Sequence, residues 1–170
     1  MGIKSKKRSG VAAALTAAAV AGLSMFGVAS AQATPPQSGP PTCSADDLNA
    51  SIIELPAPND QERLYELNFQ AKPGVTCQLN GTPEHLIFYG PSGALPIDAE
   101  MPAPGTAEPV TVSEQKSAAA YLAGPKTDGP ARATSVSFNL PGDDTAIRTA
   151  WVSGGVDGPL RLGNFTAPVS

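Results

Sequence analysis

The sequence predicts an all-β domain with antiparallel strands, built as a sandwich or a barrel. All 18 prolines lie beyond residue 34 and divide that part of the chain into short segments. Because proline lacks the backbone N–H that helices and central strands use, short strands joined by turns are favoured. Several segments also alternate apolar and polar residues with the period of two that a half-buried strand requires.

In chain order, the candidate strands are residues 51–55, 65–71, 86–89, 110–113, 117–123, 136–140, 146–153 and 160–165. They predict about seven to nine strands, at the spacing typical of antiparallel sandwiches and barrels. In the clearest of them, Tyr65, Leu67 and Phe69 alternate with polar residues. The Ala-rich segment 117–123 is also compatible with a helix, because alanine favours helices. Residues 60–66 are compatible with one helical turn.

Residues 1–33 have the order of parts of a secretory signal peptide. Four basic residues lie between positions 4 and 8, an Ala-rich apolar run covers 11–28, and Ala31-Gln32-Ala33 offers a small-residue cleavage site. The alternative is an uncleaved membrane anchor, which the weakly apolar composition of the run disfavours. We therefore expect a secreted or cell-envelope protein with no stable membrane insertion after cleavage.

The remaining chain is predicted to form a tether and one domain. Residues 34–41 (TPPQSGPP) are a Pro-rich tether, and residues 42–170 are long enough for a single domain with an adequate core. Residues 1–33 hold four of the 11 basic residues and none of the 15 acidic ones, so cleavage leaves a net charge of −8. This charge argues against nucleic acid or anionic lipid as a partner.

Cys43 and Cys77 are the only cysteines of the chain. Exported proteins work where thiols oxidise, so the two residues are predicted to form a disulfide. The alternative, a catalytic or metal-binding thiol, has no Cys-x-x-Cys motif and no neighbouring histidine in its favour.

The same residues carry a resemblance to a known family. The domain opens with Cys43-Ser-Ala-Asp-Asp-Leu48, and Cys77-Gln-Leu-Asn-Gly-Thr-Pro83 follows. Over residues 41–168 this resembles the secreted actinobacterial family of unknown function numbered 4232, whose members share a Cys-x-x-x-x-Leu start and a Cys-x-Leu-x-Gly-x-Pro motif. The resemblance implies an immunoglobulin-like β-sandwich and export. It implies no activity, because none is established for the family.

Motifs for catalysis and metal binding are weak. His85 is the only histidine, and no serine lies in a Gly-x-Ser-x-Gly motif. The acidic pairs Asp46-Asp47 and Asp143-Asp144 and the acidic Gly-rich loop 154–158 lack the Asp-x-Asp-x-Asp-Gly spacing of a calcium loop, so we interpret them as turn residues. No cofactor and no metal site are predicted, and the sequence favours a protein that is not an enzyme.

The longest irregular segment, residues 95–108, is the predicted binding loop. Its candidate contact residues are Asp98, Glu100, Met101 and Glu108, since long loops on a β domain often carry recognition. Trp151 is predicted to lie in the core. The sequence thus predicts a non-catalytic binding module whose partner is an envelope or extracellular protein or a glycan. The alternatives are a small secreted hydrolase and a secreted proteinase inhibitor.

Overall fold

The computed structural model describes residues 39–102, 105, 107–126, 129 and 131–169. The predicted signal peptide, residues 1–33, and positions 34–38 of the predicted tether lie outside these residues. The described chain is all-β with antiparallel sheets, as the sequence predicts, and its architecture is consistent with a β-sandwich. Among the described residues, no helix is long and apolar enough to cross a membrane.

Thirteen strands and one 3-10 turn, Ala45–Asp47, form the described fold. The strands are β1 (Leu48–Leu55), β2 (Glu62–Ala71), β3 (Thr76–Leu79), β4 (Glu84–Gly90), β5 (Gly93–Ala94), β6 (Ala99–Glu100), β7 (Val110–Ser113), β8 (Ala118–Pro125), β9 (Ala131–Arg132), β10 (Ser135–Asn139), β11 (Ala146–Ala150), β12 (Gly155–Val156) and β13 (Leu160–Leu162). One sheet has the order β1-β2-β8-β13-β6 and the other β11-β10-β4-β5, while β3–β7 and β9–β12 form two smaller pairs. The β6–β13 pair is parallel.

The β2–β8 pair places large side chains beside small ones. Leu67 lies opposite Ala120 and Phe69 opposite Ala118, and all four are fully buried. Residues that face each other on one side of an antiparallel pair pack together. The Ala-rich segment 117–123 is therefore a strand, because pairing with β2 and burial outweigh the modest helix propensity of alanine.

Aromatic side chains from both large sheets meet in one core. Phe69 of β2 contacts Phe138 of β10 edge to face, with ring centroids 5.5 Å apart. Trp151, which follows β11, lies 4.5 Å from the Tyr65 ring and 4.9 Å from the Phe88 ring. Only 7% of Trp151 is exposed, so it is a core residue, as predicted.

The predicted disulfide is confirmed. Cys43 and Cys77 are bonded, their Cα atoms are 4.9 Å apart, and both side chains are buried. Backbone hydrogen bonds support the same junction: Cys43 N–H donates to the Gln78 carbonyl at 2.9 Å, and Gln78 N–H donates to the Pro41 carbonyl at 2.8 Å. The disulfide and these hydrogen bonds thus hold residues 41–43, which precede β1, against one edge of β3.

Several predicted elements differ from those in the structure, either in type or in the residue at which they end. Residues 60–66 are not a helical turn: Asn59 Oδ1 accepts a hydrogen bond from Gln61 N–H at 2.9 Å, and β2 begins directly afterwards at Glu62. The predicted strand 146–153 ends at Ala150, because Ala150 pairs with the first residue of β10. The predicted strand 160–165 ends at Leu162. Strand β3 was not among the predicted strands.

Phe69→Ala should lower the free energy of unfolding by about 3–5 kcal/mol, because it removes a fully buried ring from the contact between the sheets. Urea unfolding of the protein followed by Trp151 fluorescence measures this change. The exposed residue Ser51 on neighbouring β1 provides the control, and Ser51→Ala should change stability by no more than about 0.5 kcal/mol. Equal effects of the two substitutions would contradict the assignment of the core.

Replacing Cys43 and Cys77 together by alanine should lower the free energy of unfolding by about 3–4 kcal/mol and preserve the β-rich far-UV spectrum. The bond closes a loop with a sequence separation of 34, and removing it restores the freedom of the unfolded chain. Urea unfolding of the oxidised wild type and the double variant gives the difference. A variant as stable as the wild type would show that the bond adds nothing to stability.

Candidate functional site

The predicted binding loop, residues 95–108, is divided between two places in the fold. Its middle part forms β6, in which Ala99 lies opposite Leu160 of β13. Leu160 N–H also donates to the Asp98 carbonyl oxygen at 2.9 Å. Residues 103, 104 and 106 lie outside the described part of the chain. The first half of the loop is therefore held at the edge of the five-stranded sheet.

Asp98 and Glu100, two of the predicted contact residues, are exposed at this edge. Glu100 lies opposite Arg161, which hydrogen-bonds the Glu62 carboxylate. That hydrogen bond and the charge of Glu62, with a smaller contribution from Glu100, raise the pKa of Arg161. Glu100 thus belongs to a local charge cluster, and neither Asp98 nor Glu100 lines the cavities beside the second half of the loop.

The other two predicted residues, Met101 and Glu108, lie beside two adjoining surface cavities. Met101, which is 44% exposed, lines a cavity of about 240 Å³, and Glu108 lines a groove of about 650 Å³. The two share Ala107 and Asn164. The groove is lined by Ala107, Glu108, Pro109, Val110, Thr111, Lys116, Asn164, Phe165, Thr166 and Ala167. We call it the β7 groove, since β7 supplies part of one wall.

The opposite wall of the β7 groove, residues 164–167, is held on three sides. Thr166 exchanges two backbone hydrogen bonds with Ala119 of β8, at 2.8 and 2.9 Å. Phe165 N–H donates to the Gly81 carbonyl at 2.9 Å, and the buried Phe165 ring lies 5.1 Å from Phe69. This wall is consequently anchored to the folded core through Phe165 and to β8 through Thr166.

Polar groups supply the chemistry of the β7 groove. Thr82 Oγ1 donates to Asn164 Oδ1 at 2.6 Å where the two cavities meet. Glu108 and Lys116 are exposed and lie on either side of β7 in the chain, so the groove carries a negative charge near the start of the strand and a positive charge near its end. The arrangement is suited to binding by hydrogen bonds and paired charges.

A third recess, of about 520 Å³, lies beside the acidic pairs. Asp47 Oδ2 accepts hydrogen bonds from Ser44 N–H and Ser44 Oγ, at 2.8 and 2.7 Å. Asp143 accepts from Ala45 N–H and Thr145 N–H, both at 2.8 Å. These hydrogen bonds lower the pKa of both carboxyl groups. The two residues cap turns, and no group of three or more potential metal ligands converges among the described residues.

His85 does not line the β7 groove, although its neighbour Glu84 lines the adjoining cavity. It is exposed near the start of β4 and has a positive φ of 51°, where the pairing with β10 shifts register between Ser137 and Asn139. Asparagine and histidine are among the non-glycine residues that adopt this conformation most readily. The position is consistent with a surface histidine at a strand irregularity.

Sequence reasoning missed Thr111, Lys116, Asn164 and Thr166 as groove residues. The segment 110–113 is predicted as a strand with its observed bounds, but its neighbours across the groove come from about 50 residues further along the chain. Alternation along a strand predicts which face is buried; it carries no information on what lies beside its edge.

Comparison with known proteins gives no further guide to this site. No protein-family model, no curated protein and no solved structure matches the chain. The resemblance to the secreted actinobacterial family therefore stays a prediction.

Asp143→Asn should reduce the loss of thermal stability on acidification. Because the pKa of Asp143 is lowered in the folded protein, its contribution is present above its ordinary value near 3.8 and is lost as the pH falls through the lower folded value. Thermal melts at pH 6 and pH 2.5 measure the loss. Asp144→Asn is the control, because it removes the same charge at a neighbouring residue that caps no described backbone group. Its loss of thermal stability between pH 6 and pH 2.5 should equal that of the wild type. An identical loss in the two variants would refute the capping role.

Proposed function

We propose that the chain is an exported, non-catalytic binding module on an immunoglobulin-like β-sandwich, and that it binds its partner in the β7 groove. The signal peptide predicted for residues 1–33 supports export, as does the Cys43–Cys77 disulfide, since such bonds persist in oxidising compartments. The partner would be an extracellular or envelope protein or a glycan. The excess of acidic residues disfavours nucleic acid.

Strand order supports the immunoglobulin-like assignment. In such folds strands A, B and E are neighbours in one sheet, and C, F and G in the other. Strands β1, β2 and β8 follow the first order, and β4, β10 and β11 follow the second. The chain crosses between the sheets from β2 to β4 and from β8 to β10, as B–C and E–F connections do. The disulfide differs from the usual B–F bond, because it joins β3 to the segment before β1.

Several side chains that could act in catalysis are held in structural contacts, which supports a binding function over a catalytic one. Both cysteines are in a disulfide, Asp47 and Asp143 cap turns, and the buried Glu66 carboxylate accepts a hydrogen bond from Tyr121 at 3.1 Å. Catalysis needs a nucleophile, a base and a charge-stabilising group near one point. These five residues are engaged in structural contacts at separate places.

The β7 groove itself is the observation that carries the proposal. Its volume of about 650 Å³ lies within the range of about 300–1,000 Å³ typical of ligand sites. Its walls are a strand and a segment fixed by the core, so binding needs little ordering. In contrast, Asp98 and Glu100 lie at a paired sheet edge, which favours the groove over a protruding inhibitory loop.

Ala167→Trp should abolish retention of the mature protein on the producing cell's envelope. Ala167 is exposed and lines the β7 groove, so an indole there would fill the groove without entering the core. Ala146→Trp is the matched control, because Ala146 is an exposed alanine on β11, away from the groove. Cosedimentation of labelled protein with envelope fragments should fall at least tenfold for the first variant and stay unchanged for the second.

Equal retention of both tryptophan variants would overturn the groove as the binding site. A hydrolase panel run on the same wild-type preparations tests the non-catalytic part of the proposal. Turnover of any substrate that His85→Ala abolishes would show that the protein is an enzyme.

A further inference from the structure

We infer that the ligand of the β7 groove is an extended peptide that adds as a strand to the open edge of β7. The inference rests on the proposed function and names the chemical class of its partner. It follows from the direction of the backbone groups of β7, a four-residue strand whose one described strand partner is β3.

The register of the β3–β7 pair decides where those groups point. The pairs are Cys77 with Val112, Gln78 with Thr111, and Thr76 with Ser113. In an antiparallel ladder, alternate residue pairs exchange hydrogen bonds, and the pairs between them direct their N–H and C=O groups away from each other. Once one residue pair is known to be hydrogen-bonded or not, the direction of the backbone N–H and C=O groups follows for every residue of β7.

Two independent sets of contacts give that assignment. Gln78 uses its N–H and C=O on the opposite side of β3, with Pro41 and Cys43. Ser113, two residues from Thr111, exchanges backbone hydrogen bonds of 2.8 and 3.3 Å with Lys116 on the far side of β7. Both place Thr111 in a pair that is not hydrogen-bonded, so its N–H and C=O face away from β3.

Thr111 lines the β7 groove, and no hydrogen bond from a described residue reaches its N–H or C=O. An open strand edge with free donor and acceptor groups is a template for another strand. Peptides bind many proteins in this way, with main-chain hydrogen bonds supplying affinity. The small side chains of Ala107, Thr166 and Ala167 leave room beside the edge for a second backbone.

Charge at the two ends of the groove favours one kind of peptide. Glu108 lies near the start of β7 and Lys116 near its end, and both are exposed. A peptide with an acidic residue beside Lys116 and a basic residue beside Glu108 complements both charges. Since antiparallel pairing is the more stable, the acidic residue comes first in the peptide sequence.

The test uses the capped pentapeptide Glu-Val-Thr-Val-Lys and amide-detected NMR titration of the mature protein at low salt. We expect saturable shifts at Thr111 and its neighbours. Methylation of the amide nitrogen of the central threonine should weaken binding at least tenfold, because that N–H faces Thr111. The same methylation on the preceding valine should have little effect, because its N–H points away from β7. Equal affinity of the two methylated peptides would overturn strand addition.

Three variants of the protein test its contribution to binding. Thr111→Pro deletes the open N–H and should weaken binding at least tenfold, whereas Thr111→Ala keeps the N–H and should weaken binding much less than the proline substitution does. The double variant Glu108→Lys/Lys116→Glu should reverse the preference for Glu-Val-Thr-Val-Lys over Lys-Val-Thr-Val-Glu. If Thr111→Pro does not fold, the methylated peptides still decide the question.

The outcomes separate this inference from the proposed function. If none of the peptides binds while Ala167→Trp still abolishes envelope retention, strand addition is wrong and the groove remains a binding site for another ligand. If the peptides do not bind and Ala167→Trp leaves envelope retention unchanged, both proposals are wrong. If sedimentation shows a dimer that the peptide does not dissociate and that Thr111→Pro does dissociate, a second copy of the chain occupies this edge and the partner assigned here is wrong.

Discussion

Phe69 contacts Phe138 from the facing sheet and Phe165 from the segment after β13, with ring centroids 5.5 and 5.1 Å apart. The first contact joins the two large sheets. The second anchors residues 164–167, and with them one wall of the β7 groove. Burial of one aromatic cluster therefore stabilises the fold and shapes the β7 groove at the same time, since aromatic pairs combine large buried area with a preferred geometry.

Local patterns in the sequence predict the long strands well, because burial of one face imposes alternation. Residues 65–71 lie within β2, and 110–113 match β7. The same patterns miss β3, whose four residues present only Cys77 and Leu79 to the core. They also miss β6, because its parallel pairing with β13 depends on residues about 60 positions away.

The candidate site was predictable only in part. Met101 and Glu108 lie beside the two cavities, whereas Asp98 and Glu100 lie at the edge of the five-stranded sheet. Acidic and exposed residues in a long loop identify a surface segment, but they do not show what packs against it. The direction of the Thr111 backbone depends on register with β3 and on the hydrogen bonds of Gln78, which are tertiary features.

The open edge of β7 is bounded at both ends. Pro109 precedes the strand and has no N–H to donate, and Ser113 is already hydrogen-bonded to Lys116. Proline on an edge strand and segments that cover the edge are among the features that limit pairing with further chains in natural proteins. Pairing along this edge is therefore limited to the few residues between Pro109 and Ser113. The short length of the free edge thus sets an upper limit on the number of backbone hydrogen bonds that any second chain can form there.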